Sequence, residues 1–153
     1  MSVYENLQKL NIKIPQAPDP VGGYVAYKKT ANLLFISGQI SIDANGNITK
    51  GKLGKELSIE QGRAAAKLCA INIIAQAKKA CDEKLETIKN CIKLTGYVNS
   101  TNDFNDQPKV INGASEIISA VFGENGKHTR AAISANSLPL DAAVEIDAIF
   151  ELK

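Results

Sequence analysis

Apolar positions along the chain change their period several times, and each change marks an element. The longest regular stretch runs from Ile59 to Ala80 without a proline and with seven alanines, the residue that favours helix most. Leu68, Ile71 and Ala75 recur at helical spacing, as do Ala66, Ala70, Ile73 and Ala77. The wide apolar arc predicts a helix lying flat on a sheet. Ser58 followed by Gln61 is a capping box, whose two side chains satisfy orphan amides at the helix start. A second helix is predicted after Pro108, a residue suited to a first helical turn. Val110, Ala114, Ile117, Ile118 and Val121 carry its apolar face, and the pattern stops near Gly123.

Strand patterns fill most of the rest. Tyr24 to Lys28 and Leu33 to Ile42 read as two strands around a short turn, Lys29 to Asn32. The second contains Ser37-Gly38, and glycine inside a strand marks a bulge or a close approach. Asp43 to Asn47 is a turn, since Asn-Gly tolerates positive φ. Ile88 to Val98 alternates, with Ile92, Leu94, Gly96 and Val98 on one face and Cys91, Lys93, Thr95 and Tyr97 on the other. Asn99 to Asp106 is a polar connection. Two strands close the chain, Arg130 to Asn136 and the run carrying Val144, Ile146, Ala148 and Phe150. A turn at Ser137 to Asp141 separates them. The order ββ-α-β-α-ββ predicts an α+β architecture, one mixed sheet with two helices on one face.

Length changes this picture little: 153 residues suit one domain over residues 1–153. Pro15, Pro18 and Pro20 make residues 1–22 an extended N-terminal arm, with a short helical turn at Val3 to Leu10. No apolar run is long enough to span a membrane. The first ten residues include Glu5 and resemble no secretory signal, so cytoplasm is the expected location. The formal charge is +2 and the lysines are scattered. They read as a solvated surface and give nucleic-acid binding little support. Cys69, Cys81 and Cys91 form no Cys-x-x-Cys pair, and a single histidine does not complete a zinc site, so no metal is expected. Cys69 reads as a core residue.

No phosphate loop, dinucleotide fingerprint, zinc-protease motif or nucleophile elbow occurs. His128 lies in a predicted loop, 124–129, and reads as a surface residue rather than a catalytic one. Arg130 opens a strand, where its planar fork can take a carboxylate in two parallel hydrogen bonds. Glu145 lies on the following strand, and half-burial there would raise its pKa and keep a proton available. Pattern alone favours a plainer reading, an Arg130–Glu145 ion pair on a solvated sheet face. Tyr24 reads equally as a half-buried strand residue, Ser37-Gly38 as a bulge, and Asn112 as a helix-surface group.

Set together, these segments resemble the RidA/YjgF family. Arg130 through Leu138-Pro139, continued by Val144-Glu145-Ile146-Asp147-Ala148-Ile149, is similar to the family's C-terminal signature. Gly23-Tyr24 resembles its Gly-Pro-Tyr, Phe35 to Ile40 its Ser-Gly-Gln-Ile strand, and Asn112 falls where the family places an asparagine. The resemblance spans about residues 15–151. It implies a chorismate-mutase-like fold, a homotrimer, and ligand clefts between subunits. It implies hydrolysis of enamine or imine intermediates to 2-oxo acids with release of ammonia, without metal or organic cofactor. Arg130 would hold the carboxylate of a small metabolite, and Glu145 would work through a water. Tyr24, Ser37 and Gly38 would shape the pocket, and Asn112 would support it. Gly23 replaces the usual proline, and Lys127-His128-Thr129 stands where Pro-Ala is common, the marks of a divergent branch. A non-catalytic trimeric carboxylate-binding module is the alternative. An endoribonuclease or translation inhibitor, a reading also attached to the family, fits the charge least.

Overall fold

In the computed structural model, which describes every residue from Met1 to Lys153, the two predicted helices are the best-defined local units. Helix α1 (Val3–Lys9) precedes strands β1 (Tyr27–Thr30) and β2 (Leu33–Ile40). Then come α2 (Ile59–Ala80), β3 (Ile88–Asn99), α3 (Gln107–Phe122), β4 (Thr129–Ala135) and β5 (Val144–Leu152). The capping box of α2 forms in full. The Ser58 hydroxyl accepts from the Gln61 amide at 3.2 Å, and the Gln61 side chain accepts from the Ser58 amide at 2.9 Å. Lys78 and Lys79 occupy its last turn, where the helix dipole favours positive charge.

The five strands form one sheet in the order β1-β2-β5-β3-β4. Neighbours are antiparallel except β3 and β4, which run parallel because α3 crosses over between them. On β5, Val144, Ile146, Ala148 and Phe150 are buried while Glu145, Asp147 and Ile149 point the other way. Helices α2 and α3 cover the buried face. Fully burying Phe150 contributes about 2–3 kcal/mol, and its ring meets that of Phe122 at 5.7 Å between centroids. Where α2 and α3 cross, a Cβ on Gly113 would collide with the Arg63 carbonyl. Only glycine permits that approach. The opposite face of the sheet carries no helix, and Phe35, Ile92 and Ile133 are exposed there. No helix is long and apolar enough to cross a membrane.

Four local expectations need correction. The first strand begins at Tyr27 rather than Tyr24: its ladder ends at the Tyr27–Ile36 pair, where the irregularity of β2 begins, and Tyr24 lies in the bends before it. The second stops at Ile40, beyond which Ile42 makes only an isolated bridge to Ile48. On β3 a bulge at Cys91/Lys93 adds a residue to one side of the ladder. Cys91 turns inward and Ile92 outward, the reverse of strict alternation. On α2, the most deeply buried stripe runs through Ala66, Cys69, Ile73 and Ala77, and Leu68 and Ile71 are only half-buried. Two amides, Asn72 and Gln76, are buried beside that stripe.

Candidate functional site

A cleft of about 490 Å³ opens where β2 runs past the end of β1. The Pro18–Val21 arm, Tyr24, Gly38 to Ile40, the Pro139-Leu140 turn and Glu145 line it, with Gln76 contributed by α2. Its walls follow from local structure. A register shift between Ile36 and Gln39 breaks the alternation of β2. Gln39 turns inward, and Gly38 lies against Glu145. A Cβ on Gly38 would stand 2.9 Å from the Glu145 carboxyl, so this glycine makes the room that the carboxyl occupies. The Ser37 amide and hydroxyl both donate to the chain before β1, to Ala26 O at 2.9 Å and Val25 O at 2.7 Å. These bonds anchor the segment that carries Tyr24. Leu140, at φ 58, sits in the left-handed region that a leucine rarely visits, and it projects at the cleft rim.

Two amides stitch the arm to the cleft floor. Gln39 donates to Ser37 O at 3.0 Å and accepts from Gln76 at 3.3 Å. Gln76 also donates to Pro18 O at 2.6 Å.

Glu145 is half-buried, and its pKa is raised from the ordinary value. Desolvation is the main cause, because leaving water penalises the charged form. The negative charge of Asp147, two residues along the same face, adds to it. Asp147 is itself raised by desolvation, with the Thr95 hydroxyl, Lys93 and Tyr97 pulling the other way. Two carboxyls side by side on a partly dry face retain protons more readily than either would in water.

Arg130 occupies a different corner. It begins the edge strand β4, level with Leu94 on the helix-covered face. One guanidinium nitrogen donates to Asn112 Oδ1 at 2.8 Å and to Ser115 Oγ at 3.1 Å. The other donates to Pro108 O at 3.2 Å. Every acceptor is neutral, and none of the chain's ion pairs includes Arg130. A guanidinium stays charged under all ordinary conditions. This one is oriented without being neutralised, which suits it to an external anion.

Behind Arg130 stands a relay that the sequence reading missed. His128 Nδ1 lies 2.6 Å from Gly126 O, and its Nε2 lies 2.9 Å from Ser115 Oγ. With the proton on Nδ1, as that carbonyl requires, Nε2 accepts from Ser115 and leaves the Ser115 oxygen free to accept from Arg130. His128 is therefore a half-buried support, not a free surface residue.

The expected residues thus divide into two groups. Tyr24, Gly38 and Glu145 share the cleft. Ser37 borders it from the open face but spends its hydroxyl on Val25. Asn112, expected on pattern as a helix-surface group, grips Arg130. The Arg130–Glu145 ion pair favoured by pattern does not form. Glu145 pairs with Tyr97 on the open face, and Arg130 lies two strands away on the covered face. The two segments are consecutive strands in sequence, but β3 inserts between them in the sheet. Gln39 and Gln76 were also missed, since an amide in an apolar run carries no periodic signal.

No cluster of His, Cys, Asp or Glu side chains has the grouping to hold a metal ion. The three cysteines are free and buried. Burial pushes the Cys91 thiol up to about 12 and raises Cys69 well above its usual value, so both stay protonated and unreactive.

Known proteins share the fold of this chain. Residues 5–152 match the family model described as "YjgF/chorismate mutase-like, putative endoribonuclease". Protein TCP17 of Trypanosoma cruzi is 42% identical over 98% of this chain and 94% of its own length. The crystal structure of Atu1372 from Agrobacterium tumefaciens superposes with a TM-score of 0.92 at 40% identity, covering 99% of this chain and 92% of that one. Escherichia coli TdcF, solved with bound serine, superposes with a TM-score of 0.63 at 26% identity, covering 90% and 94%. The chain belongs to the YjgF/chorismate mutase-like family.

Proposed function

We propose that this protein hydrolyses reactive 2-imino acids, and the enamines that tautomerise to them, to 2-oxo acids and ammonia. The active unit is a homotrimer in which each cleft takes Glu145, Tyr24 and Gly38 from one copy and Arg130 from its neighbour. The observation that carries the reading is Glu145, a half-buried carboxyl with a raised pKa set against a glycine in a cleft. A carboxyl whose pKa is raised keeps its proton for transfer to a higher pH than one in water.

In the reaction, Arg130 fixes the substrate carboxylate through its two parallel donors. Water adds to the imine carbon. The Glu145 carboxyl passes its proton to the imine nitrogen and takes one back from the attacking water. The carbinolamine then collapses: the C–N bond breaks, the hydroxyl proton passes through Glu145 to nitrogen, and the products are ammonia and a C=O group. One water is consumed and no redox change occurs. Tyr24 walls the open side and Asn112 holds the Arg130 fork. Orientation and fixed dipoles supply most of the acceleration. Family membership and the exposed Phe35, Ile92 and Ile133 on the uncovered face support the trimer.

The test generates 2-aminoacrylate in situ and follows pyruvate and ammonia. The protein accelerates release, and Arg130→Ala lowers kcat/KM by about 100-fold, the scale of a lost charge-assisted hydrogen-bond pair. No acceleration over the uncatalysed reaction defeats the reading. Serine bound to the relative TdcF favours a second reading, a carboxylate-binding module without turnover. Saturable binding that disappears in Arg130→Ala, with no ammonia released, selects it.

A further inference from the structure

We infer that Leu140 is the specificity-determining residue of the cleft, and that it selects 2-imino acids with a bulky apolar side chain over the three-carbon imine. The inference rests on the imine-hydrolysis reading and specifies its substrate class.

Leu140 has φ 58 and ψ 23, a left-handed conformation in which the Cβ of an L-residue crowds the following carbonyl oxygen. Six non-glycine residues have positive φ, and Leu140 is the only large apolar one among them. Glycine or asparagine would occupy the position at less cost. Packing within the chain does not repay the strain, since the leucine is 65% exposed. A strained residue persists only where its surroundings over-determine it, and such residues gather at ligand sites.

The surroundings here are a clasp of hydrogen bonds. The Gly51 amide donates to Asp141 O at 3.0 Å, and the Asp141 amide donates to Leu138 O at 3.1 Å. Asn99, fully buried at the end of β3, donates from Nδ2 to Asp141 Oδ1 at 3.2 Å and to Gly51 O at 3.1 Å. Its Oδ1 accepts from Lys52 Nζ at 2.8 Å. Two segments distant in sequence thus fix the turn on which Leu140 stands. Leu140 lines the same cleft as Glu145, and Val21, Ile40 and Ile42 extend the apolar wall. A substrate with its imine carbon at Glu145 lays its side chain against this wall, where each buried methylene is worth about fourfold in affinity. A methyl side chain gains little of it. Asp19 is the only charged residue in the lining besides Glu145. Its side chain is 84% exposed and lies 3.8 Å from Lys79, so a cationic side chain would compete for it with that lysine and with water.

The imines of alanine, leucine and arginine are made in situ from the D-amino acids with a D-amino-acid oxidase and catalase. Semicarbazide acts as a competing trap, so the fall in semicarbazone reports kcat/KM for the whole protein. The leucine-derived imine is expected to show a kcat/KM about 30-fold above that of the alanine-derived one, with the arginine-derived imine below it. Leu140→Asn keeps the left-handed turn and removes the apolar cover. It is expected to bring the ratio to within about fivefold, chiefly by slowing the leucine-derived imine, and not to lower the melting temperature. A parental ratio near one, a ratio that Leu140→Asn leaves unchanged, or a preference for the arginine-derived imine overturns the inference. So does a Leu140→Asn protein of lower oligomeric mass than the parent, because the leucine then covers a partner copy instead of substrate. The parental ratio needs no variant, so a Leu140→Asn chain that fails to fold does not protect the claim.

Binding provides a readout independent of turnover. In calorimetry with the 2-oxo acid products, 4-methyl-2-oxopentanoate is expected to bind about tenfold tighter than pyruvate. Equal affinity overturns the selection. Hydrolysis of both imines without preference removes this inference and leaves the imine reading standing. Hydrolysis of neither removes the imine reading, and the calorimetric preference then judges Leu140 by itself.

Discussion

Around Arg130 the chain supplies three neutral acceptors that orient a permanent charge and leave it uncancelled. Around Glu145 it supplies apolar walls, a glycine and a second carboxyl, which together favour the uncharged form. The first corner sits on the covered face at a sheet edge, where α3 can reach back to it. The second sits on the face that no helix covers. One leaves a guanidinium without an ion-pair partner and the other raises the pKa of a carboxyl, and the sheet lies between them. The difference teaches that a single copy carries two corners of opposite electrostatic design, which the proposed function takes as halves of one site. Catalysis by the proposed route needs them brought together across an interface.

The sharpest way to break this comparison is subunit mixing. Arg130→Ala and Glu145→Gln are each expected to be nearly inactive in imine hydrolysis. Refolding or co-expressing the two in equal amounts yields mixed assemblies in which about a quarter of the clefts hold both intact residues, if the site is shared between copies. Ammonia release then rises far above either variant alone, toward about a quarter of the parental rate. If the mixture is no better than its components, the two half-sites do not meet between copies.

A second, smaller effect tests the raised pKa of Glu145. The folded protein raises this pKa above its ordinary 4.5. The folded state therefore binds the proton more tightly than the unfolded chain. The associated stability is present below about pH 4.5 and is lost as pH rises through the raised value. Glu145→Gln removes the ionised form altogether. Its melting temperature is expected to exceed the parent's near neutral pH, and the two converge in acid. The same variant loses about 100-fold or more in kcat/KM, the usual contribution of a general acid. A melting temperature that does not separate from the parent's at neutral pH contradicts the assignment.

The smallest effect concerns the supports of Arg130. Ser115→Ala removes one acceptor and breaks the link to His128 while leaving Asn112 and Pro108 in place. KM for a carboxylate substrate should rise about three- to tenfold with kcat little changed, as expected for one neutral hydrogen bond in three. Melting temperature should fall only slightly. An equal loss in kcat would mean that Ser115 touches the reacting atoms.

Much of the fold was legible in the chain because its signals are local. The α2 cap needs only Ser58 and Gln61, three residues apart, and α3 needs only its own apolar spacing and Pro108. Strand β5 alternates without interruption from Val144 to Phe150, and its buried face is as predicted. Strand β3 defeated the same logic at Cys91, because a bulge is decided by pairing with β5 and not by the strand's own sequence. Tyr24 left its predicted strand because its partner β2 becomes irregular after Ile36, which the first strand's own sequence does not encode. Gln76 and His128 were invisible for another reason. A buried amide among alanines, or a histidine in a polar loop, gains meaning only from the partner that reaches it.

The sequence by itself determined the helices, the alternating strands, and the arginine, tyrosine, glycine and glutamate that the family resemblance singled out. Propensity, capping and periodicity act over a few residues, so one strand or helix carries its own instructions. Only the tertiary structure decided that β3 separates β4 from β5, and so that Arg130 and Glu145 face opposite ways. Strand order is a long-range pairing choice, governed by how the helices cover one face, and no local pattern encodes it. The same packing buried Gln76 between Pro18 and Gln39, a setting that glutamine does not carry within itself.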